Sequence, residues 1–176
     1  MIITDSSPLI YLSRAGRLGL LRDLYGQVLA PEGVAGEVFD ENRPEHVHLR
    51  QATTQGWLRF EKTQPRLDAQ SQGIGRVDEE ILSLAEQRNA TLITNDRALF
   101  YSAKVRGIKA RWFTLIPEEA TRAGLLSVDE AETLLTDMIG AGLRVRSQVL
   151  AQLLVRIRRI GAATTQAAKD HDAARP

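Results

Sequence analysis

Two stretches decide the fold: Ile2-Ile3-Thr4-Asp5 near the start and Thr91-Leu92-Ile93-Thr94-Asn95-Asp96 far downstream. Each is a short apolar run without polar alternation that closes on Thr and then reaches an acid. Runs of this kind suit strands buried on both faces, as in a parallel sheet. Val28-Leu29-Ala30 and a segment from about Ile108 to Trp112 read the same way, and Trp57-Leu58-Arg59-Phe60 is a further candidate. Helical patterns lie between them. PEGVAGEVF (31–39) opens with Pro31, well placed for a first turn. Gly73 and Gly75 precede VDEEILSLAEQ (77–87), where Ile81, Leu84 and Ala85 form a helical stripe. Ser127-Val128-Asp129-Glu130 is a capping box ahead of AETLLTDMI (131–139), with Gly140 as its stop. Ser147 can cap QVLAQLLVRIRRI (148–160). Strand–helix alternation predicts an α/β fold with a mainly parallel sheet.

Composition bounds the function. The 176 residues are 43% hydrophobic and 26% charged, with 23 Lys+Arg against 22 Asp+Glu and no cysteine. Disulfides, iron–sulfur clusters and thiolate zinc sites are excluded. A net charge of +1 leaves nucleic-acid contact to a local patch. Aromatics at 5% argue against a broad stacking platform for single strands. No run is long enough to span a bilayer, and MIITDSSPLI has no basic segment of the kind that opens a signal peptide. The expectation is a cytoplasmic protein without membrane contact.

The chemistry lies in four acids. Asp5 and Asp96 each follow the carboxyl end of a predicted strand, the edge where open parallel sheets bind ligands. Asp78 begins the helix leading into the Thr91 strand and so belongs to the same rim. Glu37 borders the apolar face set by Val34 and Val38 and can point toward it. Four carboxylates without a basic partner repel and take raised pKa values. A hard divalent ion, Mg²⁺ or Mn²⁺, relieves the conflict and can polarise a phosphodiester. Asp5, Asp78 and Asp96 are the expected metal ligands, and Glu37 binds metal or positions water. Ser6, Thr94 and Asn95 are candidates to hold water or the scissile phosphate. Structural readings stand beside these. Asp5, Asp78 and Asp96 also suit helix caps, and Glu37 suits a solvated helix position.

These residues resemble a PIN domain, the metal-dependent nuclease fold of the VapC toxins. The likeness runs through Asp5-Ser6-Ser7-Pro8-Leu9-Ile10, Val28-Leu29-Ala30-Pro31 with Glu37, VDEEILSLA (77–85), TLITNDRAL (91–99) and Gly107-Ile108-Lys109-Ala110. The later stretch, Ala123 to Leu126 and then LLTDMIGAGLRVRSQVLAQLL, is similar to the C-terminal part of a PIN-like family without an assigned function. The resemblance implies a three-layer α/β/α sandwich around the mainly parallel sheet and an endoribonuclease using Mg²⁺ or Mn²⁺, with its acids at Asp5, Glu37, Asp78 and Asp96. It also implies a toxin-like role beside a small antitoxin protein, and a homodimer is common among such proteins. Glu79 and Glu80 follow Asp78, which leaves the third ligand open by a position or two. Arg97-Ala98-Leu99 follows Asp96 where many relatives carry another acid, which leaves one metal or two open. A non-catalytic PIN-fold module that binds RNA or a protein is the competing reading.

Other features weigh less. His46 and His48 read as part of a polar loop. A dehalogenase-like phosphatase needs a second Asp where Ser7 stands. Gly73-Ile74-Gly75 lacks the rest of a phosphate-loop pattern. Five arginines, Arg144, Arg146, Arg156, Arg158 and Arg159, form either a phosphate patch, a solvated helix face or a partner surface. The expected organisation is a nuclease domain over 1–126, a helical extension over 127–160 and a flexible tail over 161–176.

Overall fold

A computed structural model describes residues 1–39, 45–66 and 73–173. The chain forms two compact units, Met1–Phe113 and Thr114–Pro176.

The first unit is built on five parallel strands in the order β3-β2-β1-β4-β5. They are β1 (Ile2–Thr4), β2 (Val28–Pro31), β3 (Leu58–Glu61), β4 (Thr91–Thr94) and β5 (Ala110–Trp112). The three central strands are the unbroken apolar runs, and β1 and β2 are buried along their whole length. The edge strands carry the charges, Arg59 and Glu61 on β3 and Arg111 on β5, as an edge exposed to water requires. Each strand is reached by a helical crossover: α1 (Ser6–Arg14) and α2 (Gly19–Tyr25), α3 (Glu32–Val38) and α4 (Glu45–Thr54), α5 (Arg76–Arg88), and α6 (Arg97–Val105). Helix α1 packs on α3 and α4, while α5 packs on α6, giving the expected layered α/β/α sandwich with a parallel sheet.

The first two crossovers step outward from β1 to β2 and β3, and the third returns past β1 to β4. The strand order therefore reverses between β1 and β4, and ligands of such sheets bind outside the carboxyl ends of the strands at that point. The register sets Thr4 beside Ile93, so the two strands end almost level and Asp5 and Asp96 leave the sheet on the same edge. Helix α5 ends on Asn89, whose φ of 45° turns the chain into β4; Asn tolerates this left-handed conformation well.

Two local expectations change. The segment holding His46 and His48 is helix α4 rather than a loop. Leu49 and Ala52 are buried there, and Glu45 is anchored by Arg14 at 2.7 Å. Two residues apart on a helix, the imidazoles do not share a face. Asp78 is not the cap of α5: the cap is Gly75, and Asp78 sits in the first turn.

The second unit holds α7 (Ile116–Arg122), α8 (Val128–Gly140) and α9 (Ser147–Ala173). The capping box forms as read: the Ser127 hydroxyl accepts from the Glu130 amide at 3.2 Å and the Glu130 carboxylate from the Ser127 amide at 2.9 Å. Ser147 is the first helical residue rather than the cap, since the Leu150 amide bonds the Arg146 carbonyl. The break expected after Ile160 is absent, for α9 continues to Ala173; residues 174–176 of the expected tail lie outside the described residues. Gly161 is a packing residue, not a stop. A Cβ there would lie 2.3 Å from the Val128 side chain of α8, so only glycine permits the approach. Beyond it the sequence is rich in alanine, the strongest helix former. Among the described residues, no helix is long and apolar enough to cross a membrane.

Candidate active site

The fold brings the acids of the four elements to one edge. Asp5 is the N-cap of α1, its Oδ1 accepting from the Ser7 amide at 3.2 Å. Asp96 is the N-cap of α6, its Oδ1 accepting from the Leu99 amide at 2.8 Å. The structural reading of both residues is thus realised, and capping consumes one oxygen of each carboxylate. Asp5 turns its other oxygen to the hydroxyl of Thr94, which donates to Oδ2 and in turn accepts from the Asp96 amide at 2.9 Å. The hydroxyl of a single Thr at the end of β4 therefore joins the two aspartates. The second oxygen of Asp96 accepts no hydrogen bond among the described residues, and Asp96 is exposed.

Asp78 is half-buried on the first turn of α5, and Glu37 is exposed near the end of α3. Neither forms an ion pair among the described residues. Glu79 and Glu80 both have arginine partners. Glu79 is buried and clasped by the Arg106 guanidinium, at 2.7 Å to Oε1 and 2.6 Å to Oε2. Glu80 is held by Arg76 at 3.2 Å and packed where a Cβ on Gly33 of α3 would meet it. Asp78 alone of the three remains uncommitted.

Electrostatics register the gathering. Burial pushes the Asp5 carboxyl up to about 7, against the pull of Thr94 and Ser7, with the charges of Asp96 and Asp78 adding to the rise. Asp78 is also raised, first by burial and then by Asp96 and Glu37. The charge of Asp96 thus bears on both Asp5 and Asp78, that of Glu37 bears on Asp78, and among the described residues no ion pair relieves Asp5 or Asp78. Among the described residues no three Asp, Glu or His side chains form a ready coordination group.

Ser6 is half-exposed on the first turn of α1, and Asn95 is half-exposed between Thr94 and Asp96. Thr94 is buried, and its hydroxyl serves Asp5 and Asp96 rather than solvent. Two features escaped the sequence reading. The Arg106–Glu79 pair fixes the start of α5 to the end of α6, and nothing in the spacing of these residues signals it. The C-terminal arginines are partly spent: Arg156 pairs with Glu118 at 3.0 Å and Arg158 with Glu132 at 2.6 Å, while Arg144, Arg146 and Arg159 remain exposed.

A parallel sheet with acids at its switch point is compatible with several hydrolytic folds, and the family comparison selects a nuclease-type fold among them. The family model described as a PIN domain matches residues 1–159. The chain belongs to the PIN domain family. No curated protein matches the chain.

Proposed function

We propose that the chain is a metal-dependent endoribonuclease that hydrolyses RNA phosphodiester bonds, with Asp5, Asp78 and Asp96 as metal ligands. One observation carries the reading. Carboxylates from four separate elements lie at the carboxyl edge of the sheet, burial and neighbouring acid charge raise the proton affinity of Asp5 and Asp78, and none of the four forms an ion pair among the described residues. In donor type and charge they suit a hard cation, Mg²⁺ or Mn²⁺, with water completing the coordination. Such an ion polarises the phosphodiester and lowers the pKa of a bound water. The protein's part is geometric. Thr94 holds Asp5 in place through its hydroxyl, and the caps of α1 and α6 hold the other edge of each carboxylate. Asp5 must give up its proton before it can act as a ligand. Glu37, exposed and electrostatically coupled to Asp78, positions the attacking water. Ser6 and Asn95 line the rim where the phosphate would rest.

Membership of the PIN family supports the nuclease class. The toxin-like role beside a small antitoxin, and a cytoplasmic setting, follow from the resemblance and from the absence of cysteine. The test is hydrolysis of fluorescent RNA with Mn²⁺ by the intact chain and by Asp5→Asn and Asp96→Asn. Each variant should lose about a hundredfold or more in rate. Cleavage undiminished in both, from preparations shown free of other nucleases, defeats the proposal. The engagement of the carboxylates favours a second reading, a PIN-fold module that binds without cutting: Asp5 and Asp96 each give one oxygen to a helix N-terminus, and Asp5 gives the other to Thr94. A nuclease should show a Mn²⁺-dependent rise in melting temperature that Asp96→Asn reduces, and a pure binding module should show none.

A further inference from the structure

Aromatic residues are few in this chain, two Trp, three Tyr and four Phe in 176 residues. The fold gathers three of them beside the acids. Phe100 of α6 stacks on Trp112 of β5, with centroids 4.0 Å apart and ring planes within 10°. Tyr101 meets Phe100 edge-on at 5.6 Å and is itself 53% exposed. Trp112 stands level with Thr94 in the sheet, so the cluster borders the Asp96 rim. Two cations rise over the rings, Arg97 at 5.6 Å from the Tyr101 centroid and Lys104 at 5.7 Å from that of Phe100. Both are exposed, neither forms an ion pair among the described residues, and α6 carries no acid.

Next to Tyr101 runs a slot of about 220 Å³ lined by Ile74, Tyr101, Ser102, Val105 and Arg106. Its walls are mainly apolar, and Val105 is 82% exposed. Ile74 lies just ahead of α5, the helix that carries Asp78, and Tyr101 lies one turn into α6, the helix that Asp96 caps. The slot therefore lies between the residue that precedes α5 and the second half of α6, the helix whose first turn holds Arg97 and whose cap is Asp96. An exposed aromatic face, an apolar recess and unpaired cations are what a single strand requires: a surface for one base and positive charge for its phosphates.

We propose that this face of α6 is a nucleobase subsite for single-stranded RNA, with one base seated in the slot against Tyr101 and the flanking phosphates on Arg97 and Lys104. The ligand class rests on the nuclease reading, but the subsite is tested without catalysis. The probe is a short fluorescent oligouridylate, followed by anisotropy in EDTA with the intact chain. Tyr101→Ala should weaken binding between about fivefold and a hundredfold, and Tyr101→Phe should retain it. Replacing the probe's bases with abasic sites should erase the difference between Tyr101 and Ala. Arg97→Ala and Lys104→Ala should each lower the salt dependence by about 0.7 in log–log slope. Equal affinity of the Tyr101→Ala chain overturns the subsite, as does an absence of binding by the intact chain at micromolar concentration. Sedimentation of the same proteins provides a separate check. If Tyr101→Ala or Val105→Asp converts a dimer to monomers, the face belongs to a second copy of the chain and the subsite is overturned. Tyr101-dependent binding without Mn²⁺-dependent cleavage defeats the nuclease reading alone, and cleavage without Tyr101 dependence in binding defeats the subsite alone.

Discussion

Replacing Asp5 with Asn should make the metal-free protein less sensitive to pH, and the size of the change follows from the site. The Asp5 carboxyl stands at about 7 in the folded chain against 3.8 for a free aspartate, mainly because it is buried. The folded state therefore holds this proton more tightly than the unfolded state. Its contribution to stability is full below pH 4 and is lost as pH rises toward 7, after which it is level. At 1.36 kcal/mol per unit, the loss is about 4 kcal/mol. Asn cannot ionise and keeps one oxygen to accept from Ser7 and an amide to meet Thr94. The stability of Asp5→Asn relative to the parent should thus rise by about 4 kcal/mol between pH 4 and pH 8. For a chain of this length that is on the order of 8–16 °C in melting temperature. Asp78 titrates in both proteins, and its raised proton affinity is set by burial, Asp96 and Glu37, so the comparison isolates Asp5.

The assay is urea unfolding or thermal melting of both chains in EDTA across that range, repeated with Mn²⁺. On the proposed function, Mn²⁺ should bind the ionised parent and stabilise it by mass action, by about 2.7 kcal/mol at a hundredfold excess over the dissociation constant. It should therefore narrow the gap at pH 8 and leave Asp5→Asn nearly unmoved. Stability curves that run parallel in EDTA from pH 4 to pH 8 would refute the argument, because they would mean that Asp5 is ionised in the folded protein at no cost.

Two further outcomes test the supports of the site. Thr94→Val preserves shape but removes the hydroxyl that serves both Asp5 and the Asp96 amide, so it should cost about 1–3 kcal/mol and push the Asp5 carboxyl higher still; titration of that carboxyl by NMR, with urea unfolding, measures both. Arg106→Met strands the buried Glu79 carboxylate and should cost about 3–5 kcal/mol, whereas adding Glu79→Leu should recover most of it; a double-mutant cycle in which the second change recovers nothing contradicts the assignment of the pair as structural.

Much of the fold was legible because burial writes itself into local sequence. Strands covered on both faces become unbroken apolar runs, and β1, β2 and β4 lie almost where Ile2, Val28 and Thr91 announce them. The edges of elements were less legible where one residue type does two jobs. Gly161 looks like a terminator, and only the neighbouring Val128 reveals that it is a point of close approach. The helix around His46 hides because its apolar side is held by Leu49 and Ala52 alone, and the pairing of Glu45 with Arg14 joins residues distant in sequence. The same limit applies at the site. Which of Asp78, Glu79 and Glu80 is uncommitted depends on Arg106 and Arg76, and long-range pairing leaves no local trace.

The structure realises the capping reading of Asp5 and Asp96, and the proposed metal role is compatible with it. A carboxylate has two oxygens, and a helix N-terminus occupies one. In Asp96 that leaves the second oxygen uncommitted toward the rim, already oriented by the Leu99 amide and needing no further side-chain order. In Asp5 the second oxygen is held by Thr94, whose hydroxyl is itself fixed by the Asp96 amide. The start of α6 thereby orients both aspartates, one directly and one through Thr94. If this is how the site is organised, weakening that helix start should disturb both carboxylates together. Thr94→Ser retains the hydroxyl but frees its rotation and removes a buried methyl, so it should cost about 1 kcal/mol of stability while weakening Mn²⁺ binding; a wild-type Mn²⁺ affinity in that variant would show that the hydroxyl does not need the methyl to hold it on Asp5.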